Sequence, residues 1–390
     1  MRQSSAKRNP RSRVTDEVMQ LGADSKTTRA HARTIRLWLY GVAALLVLMV
    51  MVGGATRLTD SGLSIVEWRP VTGTVPPLNE SAWAAEFDKY KTSSEYQLVN
   101  KGMTLDEFKR IYWWEWAHRL LGRLIGAAFL LPLLFFQFRG WVEPRLKWRL
   151  WSIFTLGALQ GAIGWWMVAS GLVGRVSVAQ ERLAVHLTMA CLILIALIWT
   201  ARFLAPAPTV IAPSARNPRR LAAVAVTILC VLVAQIALGG LVAGLRAGLV
   251  YDTWPSIDGA FIPPREHLFF LEPAWRNLLD NHLTVQFAHR MVAYLLVALA
   301  LAHAADCAYQ RRCRVGAIAL TSFLLLQATL GIATLLWHVP LALALAHQSV
   351  AIAALIVATV HAANLRVNKA FIAAASGSRT PALAEHASAA

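Results

Sequence analysis

Four of the eleven histidines, His118, His186, His289 and His347, recur at matching places in a duplicated pattern: EWAHR at 115–119, VHLTM at 185–189, FAHRM at 287–291 and AHQSV at 346–350. Paired imidazoles at one depth of a helical bundle form the donor set that ligates haem iron axially. Each of the four carries a small residue four positions on, on the same helical face: Gly122, Ala190, Ala293 and Ala351. A flat macrocycle needs such clearance. A di-metal carboxylate site would require inward acidic residues that these segments lack. Glu115 precedes His118 by three residues, whereas Gln286 occupies the same place before His289. That asymmetry separates one chemical site from one auxiliary site. It leaves open whether Glu115 is a proton acceptor beside one site or a structural charge, in a solvent-edge ion pair with Arg119 four residues on or favouring a helix N-terminus. Arg119 and Arg290, each directly after a histidine, are either interfacial cations or guanidinium partners for the carboxylates of a bound group. His267, His282, His303, His338 and His361 read as interfacial hydrogen-bonding groups.

The elements that must position these residues are apolar helices. Hydrophobic residues make up 57% of the chain and charged ones 15%, with a mean hydropathy of +0.49. Eight windows, at 36–55, 117–138, 149–168, 183–203, 221–242, 286–305, 315–337 and 340–362, are each long enough to cross a bilayer. All four selected histidines fall near one end of an even-numbered window.

A repeat relates the first four windows to the last four. Gly53, Gly54, Gly62, Trp68 and Gly73 find counterparts 186 positions later in Gly239, Gly240, Gly248, Trp254 and Gly259, and both stretches reach a Pro-Pro pair. The third and seventh windows share a Gln-x-x-x-Gly step, Gln160 to Gly164 and Gln327 to Gly331, of the kind that lets membrane helices pack closely. The expected fold class is therefore an all-α membrane protein with eight transmembrane helices as two tandem pseudo-twofold-related four-helix bundles. Its parts are a disordered tail at 1–35, a first half at 36–203, a linker at 204–220, a second half at 221–363 and a tail at 364–390. The glycine-rich loops 53–77 and 239–264 would cover the two sites, with Trp68 and Trp254 as either lid or interfacial belt residues.

The formal charge of +17 suggests nucleic acid until its placement is followed. Of the 38 basic residues, 23 lie in the N-terminal tail, in 139–149, 202–220 and 311–314, and in the C-terminal tail. The alternate, longer loops carry 12. This positive-inside bias expects no nucleic acid, a multi-pass protein of the cell inner membrane, both termini cytoplasmic and the histidine sites toward the outer, periplasmic side. The four cysteines, Cys191, Cys230, Cys307 and Cys313, provide no disulfide framework outside the membrane.

With its tandem halves, EWAHR and FAHRM motifs and single histidines in VHLTM and AHQSV, the sequence resembles the haem A synthase family from about residue 36 to 365. The resemblance implies oxidation of the C8 methyl group of haem O to a formyl group. It implies haem b held by His289 and His347, substrate haem facing His118 and His186, and Glu115 as the essential acidic residue; with haem as the bound group, its propionates would be the carboxylates that Arg119 and Arg290 could pair with. Expected partners are membrane lipid, haem O, the farnesyltransferase that makes it and an electron acceptor. Some members carry a cysteine pair in an outer loop; this sequence has none, which places it with the subgroup that works without thiol chemistry. Two other classes account for fewer residues. A di-haem cytochrome b acting only as an electron conduit leaves Glu115 against Gln286 unexplained, and a transporter calls for broken helices and acidic groups at the midplane.

Overall fold

The computed structural model describes residues 10–69, 72–172, 174–206 and 217–377, with side chains described from 28 to 366. Twelve helices follow one another: α1 Pro10–Leu58, α2 Glu80–Lys91, α3 Ser94–Leu98, α4 Leu105–Phe138, α5 Pro144–Ala169, α6 Gln180–Phe203, α7 Pro218–Leu245, α8 Arg265–Leu268, α9 Asn277–Asp280, α10 His282–Tyr309, α11 Arg314–Leu336 and α12 Leu341–Gly377. Eight of them, α1, α4, α5, α6, α7, α10, α11 and α12, are long and apolar enough to span a bilayer. The all-α membrane fold expected from the windows is thus present, and no strand occurs among the described residues.

Local sequence sets where these helices begin. Thr104 and Glu107 form a reciprocal capping box at the start of α4. Asn217 caps α7 ahead of Pro218 at the first helical position, and Asn281 caps α10 by accepting from the backbone of Leu283 and Thr284. Because of the Thr104 box, α4 starts well before its apolar window. Glu115 lies three turns inside a helix instead of at its mouth.

Helices α1, α4, α5 and α6 pack together, as do α7, α10, α11 and α12, and the two groups meet where α6 lies on α7 and α12 and where α1 touches α12. Fully buried Leu39, Leu133, Leu150, Leu194, Leu197, Ile228, Leu232 and Leu355 fill one continuous core through this seam. Lipid is as apolar as leucine, so dispersion between interlocked side chains holds the seam more than water exclusion does. Glycine enables the closest approach: a Cβ at Gly240 would fall 3.0 Å from Ala184 Cα, and one at Gly244 2.7 Å from Gln180 Cα.

The halves also touch through equivalent positions. Arg246 Nη2 donates to Asp60 Oδ1 at 2.5 Å and Arg57 Nη2 to the Ala243 carbonyl at 3.2 Å, each pair 186 residues apart. Residues that meet their own repeat counterparts lie at the pseudo-twofold axis.

Several boundaries differ from the expectation. The helix α1 already runs through 28–35, where an irregular lead was expected, and Ile35 is buried; residues 1–9 lie outside the described residues. At the other end α12 extends to Gly377 through part of the expected tail, and 378–390 lie outside the described residues, as do 207–216 of the expected linker. Gly53, Gly54, Gly239 and Gly240 are helical, so the covering loops start at about Thr59 and Arg246.

Candidate functional site

Each of the four selected histidines stands on a glycine of the preceding spanning helix. A Cβ would lie 2.8 Å from His118 Cε1 at Gly53, 2.9 Å from His186 Cε1 at Gly164, 3.2 Å from His289 Cε1 at Gly239 and 2.8 Å from His347 Cε1 at Gly331. Real Cβ atoms essentially never approach to under 3.0 Å, so only glycine admits the rings of His118, His186 and His347 as they stand, while at Gly239 a Cβ would be tight enough to make the His289 ring give way. Glycine inside a helix costs about 0.5–1 kcal/mol relative to alanine. Four such positions, one under each ring, mark a local need that helix stability alone would disfavour. The expected close-packing role of Gly164 and Gly331 is therefore refined: they seat imidazoles.

One turn before three of these glycines stands a glutamine. Gln160 Nε2 donates to the His186 carbonyl at 3.0 Å and lies 3.4 Å from its ring Nε2. Gln235 Nε2 donates to the His289 carbonyl at 3.0 Å and lies 3.1 Å from Nδ1, and Gln327 Nε2 lies 3.3 Å from His347 Nε2. The repeat counterpart of Gln235 is Met49, whose methyl group faces Gly122. His118 thus stands on glycine without an amide neighbour. Gln235 and the Met49 exception went unnoticed in the sequence, although the step Gln235–Gly239 repeats the pattern already visible in the third and seventh windows.

The rings carry unmet bonding capacity. Nδ1 of His118, His186 and His347 is buried without a hydrogen-bond partner. His118 lies within electrostatic reach of His186, and His289 of His347, so the histidines associate within each half. Buried polar atoms left unpartnered cost about 1–3 kcal/mol each, and a ligand that engages imidazoles removes that penalty.

Glu115 is buried to 3% exposure, which overturns the solvent-edge reading of its ion pair. Its Oε1 accepts from Arg119 Nη2 at 2.6 Å, while Oε2 accepts from Ser64 Oγ and from the Ile65 backbone N–H, both at 2.8 Å. Arg119 also donates to the carbonyls of Ile65 at 2.8 Å and Glu67 at 2.9 Å. The pair fastens the loop after α1 onto α4. In the second half Gln286 Nε2 donates to the Tyr251 carbonyl at 2.8 Å, and Arg290 Nη1 to that of Ser256 at 3.2 Å. Tyr251 is the repeat counterpart of Ile65. The same clamp is built twice, once with a charge and once with an amide. Arg290 differs from Arg119 in that its Nη2 is buried without a partner.

Both tryptophans of the repeated loops are about half exposed. Trp68 lies 5.8 Å from the Arg119 guanidinium, and Trp254 Nε1 donates to Tyr294 Oη at 3.0 Å. His338 pairs with Asp252 at the surface, 3.0 Å away. His303 and His361 depart from the interfacial reading: both are buried and their rings face each other from α10 and α12, at the end away from the four selected histidines.

Residues 36–359, most of the chain, match the COX15-CtaA family of cytochrome oxidase assembly proteins. The chain belongs to this family. It is 58% identical over 322 residues to a protein of Rhodopseudomonas palustris strain BisA53 named heme A synthase, a match covering 82% of this chain and 88% of that one. A Bradyrhizobium diazoefficiens protein of the same name is 55% identical over 335 residues, 85% of this chain and 92% of its own length. Another from Bradyrhizobium sp. strain ORS 278 is 56% identical over 334 residues, covering 85% and 91%. The family match spans both halves and all four glycine-backed histidines.

Proposed function

We infer that the chain is a haem A synthase, an oxidoreductase of the membrane that converts the C8 methyl group of haem O into the formyl group of haem A. The observation that carries this reading is the combination of two equivalent glycine-seated histidine pairs with a single buried carboxylate beside one of them. The family match and the relatives' name support it.

His289 and His347 would hold the resident group, haem b, which would supply electron transfer when bound. Gln235 and Gln327 orient those two rings by their amide contacts, and the unpartnered Nη2 of Arg290 is the donor suited to a propionate. His118 and His186 face the substrate haem. Arg119 is committed to Glu115 and two loop carbonyls, so its propionate role is the weaker of the two arginine assignments.

Turning a methyl into a formyl group releases protons at the reacting carbon and takes up oxygen from water or dioxygen. Glu115 is the carboxylate available to accept protons in the first half, and Gln286 is the reason the second half does no such chemistry. Its bonds to Ser64 and Ile65 keep the loop after α1 closed over the site, which limits water there. Haem O arrives from the farnesyltransferase that makes it, and an electron acceptor completes the cycle. The sites face the periplasmic side of the inner membrane, with both termini in the cytoplasm, as the placement of basic residues favours.

Pigment analysis tests the reading. Haem extracted from purified protein should contain haem b together with haem O or formyl haem by mass, and added haem O should turn over. Haem b alone without turnover of added haem O would favour the electron conduit. Replacing His289 or His347 with alanine should remove one of the two donors that would hold haem b and with it the low-spin haem b spectrum; unchanged spectra in both variants would reassign the resident site.

A further inference from the structure

A second cluster of ligand-bearing side chains lies at the opposite end of the second half. His303 and Cys307 stand one turn apart on α10, and His361 reaches them from α12. His303 Nε2 lies 2.9 Å from His361 Nε2 and 3.6 Å from Cys307 Sγ, and one donor atom from each of the three falls within 4.8 Å of the others. Exposure is 2% for His303, 0% for Cys307 and 4% for His361. We propose that His303, Cys307 and His361 form a buried site for a d10 transition-metal cation, zinc(II) or copper(I), separate from the haem-type histidine pairs.

Spacing supports this. Tetrahedral zinc with bonds of about 2.0–2.1 Å to nitrogen and 2.3 Å to sulfur sets its ligands about 3.3 Å apart for two nitrogens and about 3.6 Å for nitrogen and sulfur. The cysteine–histidine distance already has that value, and the two imidazoles need to part by only about 0.4 Å. Their mutual hydrogen bond does not satisfy the pair, since Nδ1 of His303 is buried without a partner. Room for the second ring is built in: a Cβ at Gly316 would fall 2.4 Å from His361 Nδ1, so α11 admits the imidazole only because that residue is glycine.

A route inward also exists. A cavity of about 420 Å3, lined by Arg312, Cys313, Gly316, His361, Asn364 and Leu365, opens beside the cluster at the α10–α11 turn. Cys313 packs against Cys307 there. Charge then separates the two cations. Two neutral imidazoles and one thiolate neutralise copper(I), whereas zinc(II) needs a second thiolate, which Cys313 would supply only by moving in from its packing position beside Cys307. Binding displaces the proton of each thiol that becomes a ligand, and no redox step is involved.

The experiment uses the full chain, purified in detergent with its haem, stripped by a chelator and loaded with zinc(II) or copper(I) alone under reducing conditions. Cation per chain is measured by elemental mass spectrometry, with the haem absorption spectrum as the index of an intact fold. Wild-type protein should retain one equivalent, and Cys307→Ser and His303→Gln should each weaken retention at least tenfold with the haem spectrum unchanged. Sensitivity to Cys313→Ser identifies zinc; indifference to it identifies copper. Where a variant loses the haem spectrum, the wild-type protein still decides: bound cation should slow alkylation of Cys307 at least tenfold. Failure of wild type to retain either cation, retention by Cys307→Ser and His303→Gln equal to wild type, or alkylation unaffected by loading would each overturn the proposal.

Discussion

The charge on Glu115 is the residue-scale difference between two otherwise equivalent clamps. Because it is buried, loss of its partner leaves Arg119 uncompensated, and breaking buried pairs costs about 3–5 kcal/mol where surface pairs cost at most about 1. Glu115→Gln keeps the volume, and Gln286 shows that an amide can hold the equivalent loop. We expect this variant to fold with the haem b spectrum of the second half intact, while haem O oxidation falls on the order of 100-fold. Normal haem A in membranes at matched protein level would leave Glu115 with only its clamping role. Glycine provides a second test at this scale. Gly164→Ala pushes on His186 without removing a donor, and should slow turnover about 10- to 100-fold. Gly157→Ala, on the same helix with open space beyond it, should leave activity unchanged. Equal effects from the two would show that the glycine under the ring has no special part. Much of this was legible in the sequence: the four histidines by their repeat and Glu115 by its missing counterpart. The glycine seats were visible as glycines but not as seats, because which side chain fills a gap depends on how neighbouring helices rotate.

At the scale of elements, the segment between α1 and α4 forms a small aromatic body outside the span. Phe87, Tyr90, Phe108 and Tyr112 pack around the ends of α2, α3 and α4. Glu95 of α3 is buried there, its Oε2 accepting from Tyr90 Oη at 3.0 Å. Burial pushes its carboxyl up to about 7 from an ordinary 4.5, with the nearby acids Asp60 and Glu115 adding to the rise. The fold therefore prefers the protonated acid. Stability is fullest below pH 4.5 as far as this group is concerned, and declines as pH rises toward 7, by about 3 kcal/mol in all. Thermal unfolding of wild type from pH 5 to 8 should show that decline, and Glu95→Gln should flatten it and be the more stable protein at pH 8. A variant with the same slope as wild type would place the titration elsewhere. No hydropathy pattern announces this body; its buried aromatic residues are divided between the short α2 and the first turns of the long α4 and converge only in three dimensions. The same limit hid the meeting of His303 with His361, since each taken alone looks like an ordinary helix-end histidine.

Taken as a whole, the molecule is two bundles locked along α6 and α7. The eight spans and the duplication were readable from apolar windows and from the 186-residue offset, because both are periodic signals. The seam was not, since it depends on which side chain each glycine of α7 meets on α6, Ala184 at Gly240 and Gln180 at Gly244. Gly244→Val should test it: the added atoms meet the backbone of Gln180, whose side chain donates to Asp280 of the other half at 2.7 Å. Overpacking of this kind costs about 1–3 kcal/mol, read as a lowered unfolding temperature with haem lost from both halves together. Loss from one half alone would mean that the bundles are energetically independent.

The ion pair between Asp60 and Arg246 says something about origin. Were the two halves separate, identical chains related by a true twofold, the position that is now 60 and 246 would face its own copy, acid against acid or base against base. Opposite charges at a self-facing site are open only to copies that have diverged, as the two halves of one chain have. Both members are half exposed, so the attraction itself adds little; what the pair records is exclusion. A first half released from its partner would bring Asp60 against Asp60, and a second half Arg246 against Arg246, so each is disfavoured from assembling with itself in the geometry the full chain uses.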